Sequence, residues 1–219
     1  MKKIMFNDRY GLTQAVIEGR KTMTRRIIPD IEIDWNRRGC INVPISGFEH
    51  GVLLMDLSSI LPGESFYSAP KKYQPRFEVG EVVAVSQRYK DINLTFIPHQ
   101  NAPDFKQLSR HCRHWGNAKA MAGWTNKMFV FADLMPHRIR ITNIKVERLQ
   151  DISEEDCIKE GLLAGEQEPR MYGFRLPGGT VLSFLTPREA FASLIDRISG
   201  KGTWKRNPWV YAYEFEIIK

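Results

Sequence analysis

The chain is poor in cysteine. Cys40, Cys112 and Cys157 are the only three, far apart and odd in number, which argues against a disulfide framework and fits a reducing compartment. No stretch approaches the roughly 18 apolar residues of a membrane span. The opening MKKIMFNDRYG also lacks the apolar segment of a secretion signal, so the expectation is a cytoplasmic protein with no membrane partner. There is no Walker loop, no GxGxxG fingerprint and no GxSxG elbow, which leaves nucleotide hydrolysis, nicotinamide chemistry and the esterase triad without support. HCRH, His111–His114, offers metal-binding side chains. No second pair at zinc-site spacing accompanies it, so no metal is expected.

Acidic residues are in the minority, 25 against 32 Lys and Arg, for a formal net charge of +7. An excess of that sign favours an anionic partner. It is concentrated: residues 1–28 carry seven basic side chains against Asp8 and Glu18, a local +5. A hydrophobic content of 42% with 11% aromatics separates the chain from a disordered one, and 219 residues suffice for a sizeable core in one domain.

Asp8 reads as the cap of a first helix over about residues 9–18, with Leu12, Ala15 and Val16 on one face and Gly19 closing it. KTMTRRII then alternates as extended chain up to Pro29. Residues 30–78 read as loops and minor hairpins without a second core, VGEVVAVSQ (79–87) as a buried strand, and 90–135 as an irregular insertion. HRIRITNIKVERLQ alternates with period two, pointing Ile139, Ile141, Ile144 and Val146 inward, with a slip near Asn143 that suggests a bulge. Ser153 caps a short helix with an acidic first turn that ends at Gly161. Thr186, Pro187 and Glu189 open a third helix that stops at Gly200, and NPWVYAYEFEII is a closing strand. The strands at 79–87, 137–149 and 209–218 each need the same core, so one curved sheet is expected. The fold class is α+β or a small β-barrel with helical insertions.

EGRKTMTRR, Glu18–Arg26, gathers four basic side chains and two threonines. Crowding by Arg20, Arg25 and Arg26 lowers the pKa of Lys21, and desolvation lowers it further, which is how a lysine becomes a base or nucleophile near neutral pH. The alternative is a solvated basic strand edge that contacts phosphate. Thr22 and Thr24 either offer a hydroxyl to a reacting carbonyl or satisfy strand propensity. Glu160 sits at a helix end where the dipole disfavours a carboxylate, which hints at a task. Trp204, Trp209, Tyr211 and Tyr213 have rings that stack bases in other settings, but alternation in a closing strand favours core packing for most of them.

Taken together, GRKTMTRR, PRFEVGEVVAV, IRITNIKVERLQDISEEDCIKEGL and the terminal NPWVYAYEFEII resemble an ASCH domain of the larger, insertion-bearing type common in bacterial and phage genomes. The resemblance implies a single domain over 1–219 with insertions at about 30–70, 90–130 and 163–183. ASCH domains are similar to PUA domains, which implies a PUA-like small β-barrel with short helices flanking a cleft and an association with RNA or modified nucleosides. A small bacterial member of the superfamily hydrolyses the acetyl amide of N(4)-acetylcytidine with a lysine, a threonine and a glutamate. By the motif these fall on Lys21, Thr24 and Glu160, with Arg26, Arg25 and Thr22 as substrate contacts and no cofactor. The resemblance thus implies an amidohydrolase of an acylated nucleoside, or a non-catalytic module that binds RNA or a modified nucleoside. This chain carries Ser86 and Gln87 where larger family members often have an Arg and Glu pair.

Overall fold

The computed structural model describes residues 1–34, 40–58, 66–92, 122–166 and 169–218. His111, Cys112 and His114 lie outside the described residues. In the first half the strands are β1 (Lys3–Ile4), β2 (Met23–Ile27), β3 (Ile31–Asp34), β4 (Cys40–Val43), β5 (Ile45–Glu49), β6 (Val52–Asp56) and β7 (Phe66–Ser68). Then follow β8 (Val82–Val85), β9 (Arg138–Arg148), β10 (Leu163–Ala164), β11 (Tyr172–Arg175), β12 (Val181–Phe184) and β13 (Trp209–Ile218). The helices are α1 (Leu12–Ile17), α2 (Glu154–Lys159), α3 (Pro187–Ser199) and α4 (Thr203–Arg206). The class is α+β, with strands predominating.

The main sheet has the order β1-β8-β9-β13-β2, so the three strands expected to share a core do pair in one sheet. β9 and β13 run antiparallel along their whole length. Glu214 faces Asn143 while Phe215 faces Ile141, which leaves Thr142 as the extra residue of a bulge at the anticipated slip. Val210, Tyr211, Ala212 and Tyr213 are all buried, so β13 is covered on both faces and its aromatic residues serve as core. The pairs β3–β4 and β5–β6–β7 are the minor hairpins. They add no second core, since Leu53, Met55 and Leu57 join the cluster that holds Val83, Ile139 and Val210.

The first helix differs from the expectation over 9–18. Residues Asp8–Tyr10 form a 3-10 turn capped by the Asn7 side chain, which accepts from the Arg9 N–H at 2.9 Å. Gly11, at φ 69°, then turns the chain before α1. Asp8 instead accepts a short hydrogen bond from Thr13 Oγ1 and pairs with Lys127. The other two helices start as their caps dictate: Ser153 Oγ accepts from Asp156 N at 3.1 Å and Thr186 Oγ1 from Glu189 N at 3.2 Å. α3 buries Ala190, Phe191, Leu194 and Ile195, and packs against α2, β11 and β12.

The two edges of the main sheet, β1 and β2, approach each other without a backbone ladder between them. Arg26 of β2 reaches across, and its Nη2 donates to the Met5 carbonyl at 2.6 Å. A seam is left open there. Among the described residues no helix is long and apolar enough to cross a membrane.

Candidate active site

The seam holds a cleft of about 380 Å³, in the ~300–1,000 Å³ range of small-molecule sites. Lys21, Thr24, Arg25, Arg26 and Glu160 line it together with Met5, Phe6 and the α3 side chains Phe191, Leu194 and Ile198. The backbone explains why residues so far apart in sequence meet. Lys21 N donates to Ala15 O at 2.9 Å and Thr22 N to Lys159 O at 3.0 Å, which clamps the segment between α1 and β2 onto the end of α2. Phe215 N donates to Thr22 O and Ile28 N to Trp209 O. Even-numbered residues of β2 therefore face β13, and the odd ones, Arg25 among them, turn their N–H and C=O toward the open edge.

Lys21 is 2% exposed and Glu160 5%. The lysine Nζ donates to Glu160 Oε2 at 2.6 Å and to the Glu160 carbonyl at 2.7 Å, which takes two of its three directions. No other described residue supplies a hydrogen-bond partner for Nζ, although the Phe6 ring lies 5.8 Å from it. Burial pulls the Lys21 pKa below the ordinary lysine value, against the raising influence of Glu160. The like charges of Arg26 and Arg25 add to the lowering only after these. Arg20 takes no part, because it turns outward to Glu18 at 2.6 Å. The opening between Lys21 and α2 also depends on Gly161. At φ 97°, its missing Cβ would lie 3.1 Å from Lys21 Cβ and 3.3 Å from both Ala15 Cβ and Lys21 Cδ.

Glu160 is the C-cap of α2, an unfavourable place for a carboxylate by the helix dipole. Two cations offset this. Arg25 Nη1 reaches Glu160 Oε1 at 3.3 Å, while Nη2 of the same guanidinium contacts Glu147 at 2.6 Å and Asp156 at 3.1 Å. With its side chain 1% exposed and shared among three carboxylates, Arg25 is not placed to receive a substrate as the sequence suggests. It holds Glu160 instead. Thr22 lies off the cleft, fixed through its backbone. Thr24, 5% exposed, is on the cleft wall, and its hydroxyl has no hydrogen bond to a described residue. Arg26 is exposed and has no carboxylate partner among the described residues.

No known protein family, curated protein or solved structure matches this chain.

The basic amino-terminal segment is largely consumed internally. Lys2 pairs with Glu81 at 3.0 Å, Lys3 donates to the Met128 and Val130 carbonyls, and Lys21 and Arg25 are buried on acids. It is no continuous phosphate track, because folding sets acids and carbonyls against most of its cations. The Ser86–Gln87 pair sits outside the cleft: Ser86 Oγ is buried without a partner among the described residues, and Gln87 Oε1 meets His137 Nδ1 at 2.7 Å. Sequence reading missed the apolar wall. Its signal was present in the helical spacing of Phe191, Leu194, Ile195 and Ile198. Among the described residues no group of three or more His, Cys, Asp or Glu is arranged to hold a metal.

Proposed function

We propose that this chain is an ASCH-type amidohydrolase that removes the acyl group from an acylated cytidine such as N(4)-acetylcytidine. The observation that carries the reading is a buried lysine of lowered pKa, hydrogen-bonded to Glu160 and sharing one cleft with a threonine hydroxyl that no described residue engages. The main sheet, whose edge strands β1 and β2 are bridged by the Arg26 hydrogen bond to the Met5 carbonyl with no ladder between them among the described residues, supports reading the fold as an opened PUA-like barrel.

Neutral Lys21 takes the proton from the attacking oxygen, that of water or of Thr24, as it bonds to the acyl carbonyl carbon. The carbonyl π electrons move to its oxygen, where Arg26 offers a fixed positive charge. Collapse breaks the C–N bond, and the proton held by Lys21 and Glu160 goes to the departing amine. An acyl group carried by Thr24 is released by water in a second round of the same steps. The apolar wall of α3 keeps the cleft dry enough for these charges to act.

The test is chromatographic release of cytidine from N(4)-acetylcytidine and from longer acyl analogues. Wild type turns over; Lys21→Arg and Glu160→Gln do not, while calorimetry shows nucleoside binding retained. A wild type that binds the nucleoside but hydrolyses none of the analogues makes the site a binding module instead.

A further inference from the structure

The active cleft does not end at Arg26. Met5, Arg26 and Ile27 also line a second hollow of about 270 Å³, walled by Lys72, Arg76, Tyr211 and Tyr213 and, among the described residues, by no acid. Through Lys72, Gln74, Arg76 and Phe77 this hollow opens into a broader one of about 1200 Å³ that adds Lys2, His50 and Lys71. Glu78 is the single acid among the described residues that line it. Arg26, Lys71, Lys72 and Arg76 are all exposed and form no salt bridge with a described residue, in contrast to the cations of the amino-terminal segment.

The ledge that carries these charges is rigid and in register with the active site. Tyr211 Oη donates to the Tyr73 carbonyl at 2.8 Å, and Tyr213 Oη accepts from Arg76 N at 3.1 Å. The same two tyrosines face Arg26 and Thr24 across the β13–β2 ladder. Gln74 locks the ledge from the other side, accepting from Leu53 N and donating to the Leu53 and Ala69 carbonyls. Lys72 and Arg76 lie over the rings of Tyr73 and Phe77 at 4.6 and 5.4 Å. Those rings are buried, so the ledge presents charge and no free aromatic face for stacking a base.

We infer that Lys72 and Arg76, next to the cleft mouth that Arg26 marks, bind the phosphates of a single-stranded RNA whose acylated cytidine occupies the cleft. The inference rests on the amidohydrolase reading for what enters the cleft, and it makes the substrate a strand and not the free nucleoside. Phosphate contacts position without reading sequence, so only the target base is selected.

The experiment has two readouts. Binding of a fluorescein-labelled RNA hexanucleotide is followed by anisotropy across a salt series for wild type, Lys72→Ala/Arg76→Ala and Lys201→Ala. Hydrolysis by wild type is compared for N(4)-acetylcytidine as nucleoside, as monophosphate and within the hexanucleotide. Loss of two phosphate contacts lowers the slope of log K against log salt by about 1.4, from ~0.7 per contact on single strands. That drop is expected in the double variant, with wild-type binding in Lys201→Ala, whose side chain is exposed and lines none of these hollows, and kcat/KM is highest for the hexanucleotide. Unchanged slope and affinity in the double variant overturns the ledge. A monophosphate hydrolysed as well as the hexanucleotide overturns the strand. If no acylated compound is hydrolysed, the amidohydrolase reading fails while the binding series still decides the ledge.

Discussion

Gly161→Ala tests whether the chain needs an empty space beside its buried lysine. The backbone at Gly161 has φ 97°, outside the region L residues favour, and the added methyl would meet Lys21 and Ala15 at 3.1–3.3 Å. A residue forced into such a conformation costs about 1–3 kcal/mol. Crowding against packed side chains adds roughly 1–3 kcal/mol more. Gly178 supplies the control, with φ 99° and nothing within 4 Å of the point a methyl would occupy, so Gly178→Ala carries the first cost without the second. At ~2–4 °C per kcal/mol for a chain of this size, Gly161→Ala melts about 2–12 °C below Gly178→Ala by differential scanning fluorimetry. Displacing Lys21 by a few tenths of an ångström also disturbs its hold on Glu160, and a fall on the order of tenfold in kcat accompanies it. Equal melting temperatures and equal turnover in the two variants would refute the role of this contact.

Arg25→Ala strands Glu147, Asp156 and Glu160 together without their shared cation. Urea unfolding should register a loss of about 3–5 kcal/mol, the usual cost of breaking a buried ion pair. For pH, Lys21 has a folded pKa below the unfolded one, so the unfolded chain binds more protons between the two values and unfolding free energy rises with pH across that window. Base catalysis rises with pH in the same sense, with an inflection below the ordinary lysine value of 10.5. A rate profile that is flat below that value, or a wild-type stability slope unchanged in Lys21→Met, contradicts this. Burial pushes the Cys157 thiol up to about 12, so in a Cys40→Ser/Cys112→Ser background it should resist an aromatic disulfide reagent at pH 8 until the protein is unfolded; rapid labelling of that native variant would show the site to be open.

Local chemistry determined much of this protein. Hydroxyl caps at Ser153 and Thr186 set where α2 and α3 begin, and period-two apolar patterning placed β8, β9 and β13, because both signals act over a few residues. The slip in β9 was readable for the same reason. The split of the first helix was less visible, since it turns on whether Gly11 adopts a left-handed conformation, which the packing of Tyr10 and Leu12 on either side decides.

Tertiary structure decided the site. Lys21 and Glu160 are 139 residues apart, and only the docking of α2 on the start of β2 makes them a hydrogen-bonded pair. Charge count suggested that neighbouring arginines depress the lysine pKa, yet burial is the larger cause, and burial is a property of the whole fold. Arg25 and Arg26 are adjacent in sequence and identical in chemistry. The alternation of β2 sends one into a buried set of carboxylates and leaves the other at the mouth of the cleft, because an edge strand has two faces and only one of them is covered by α2.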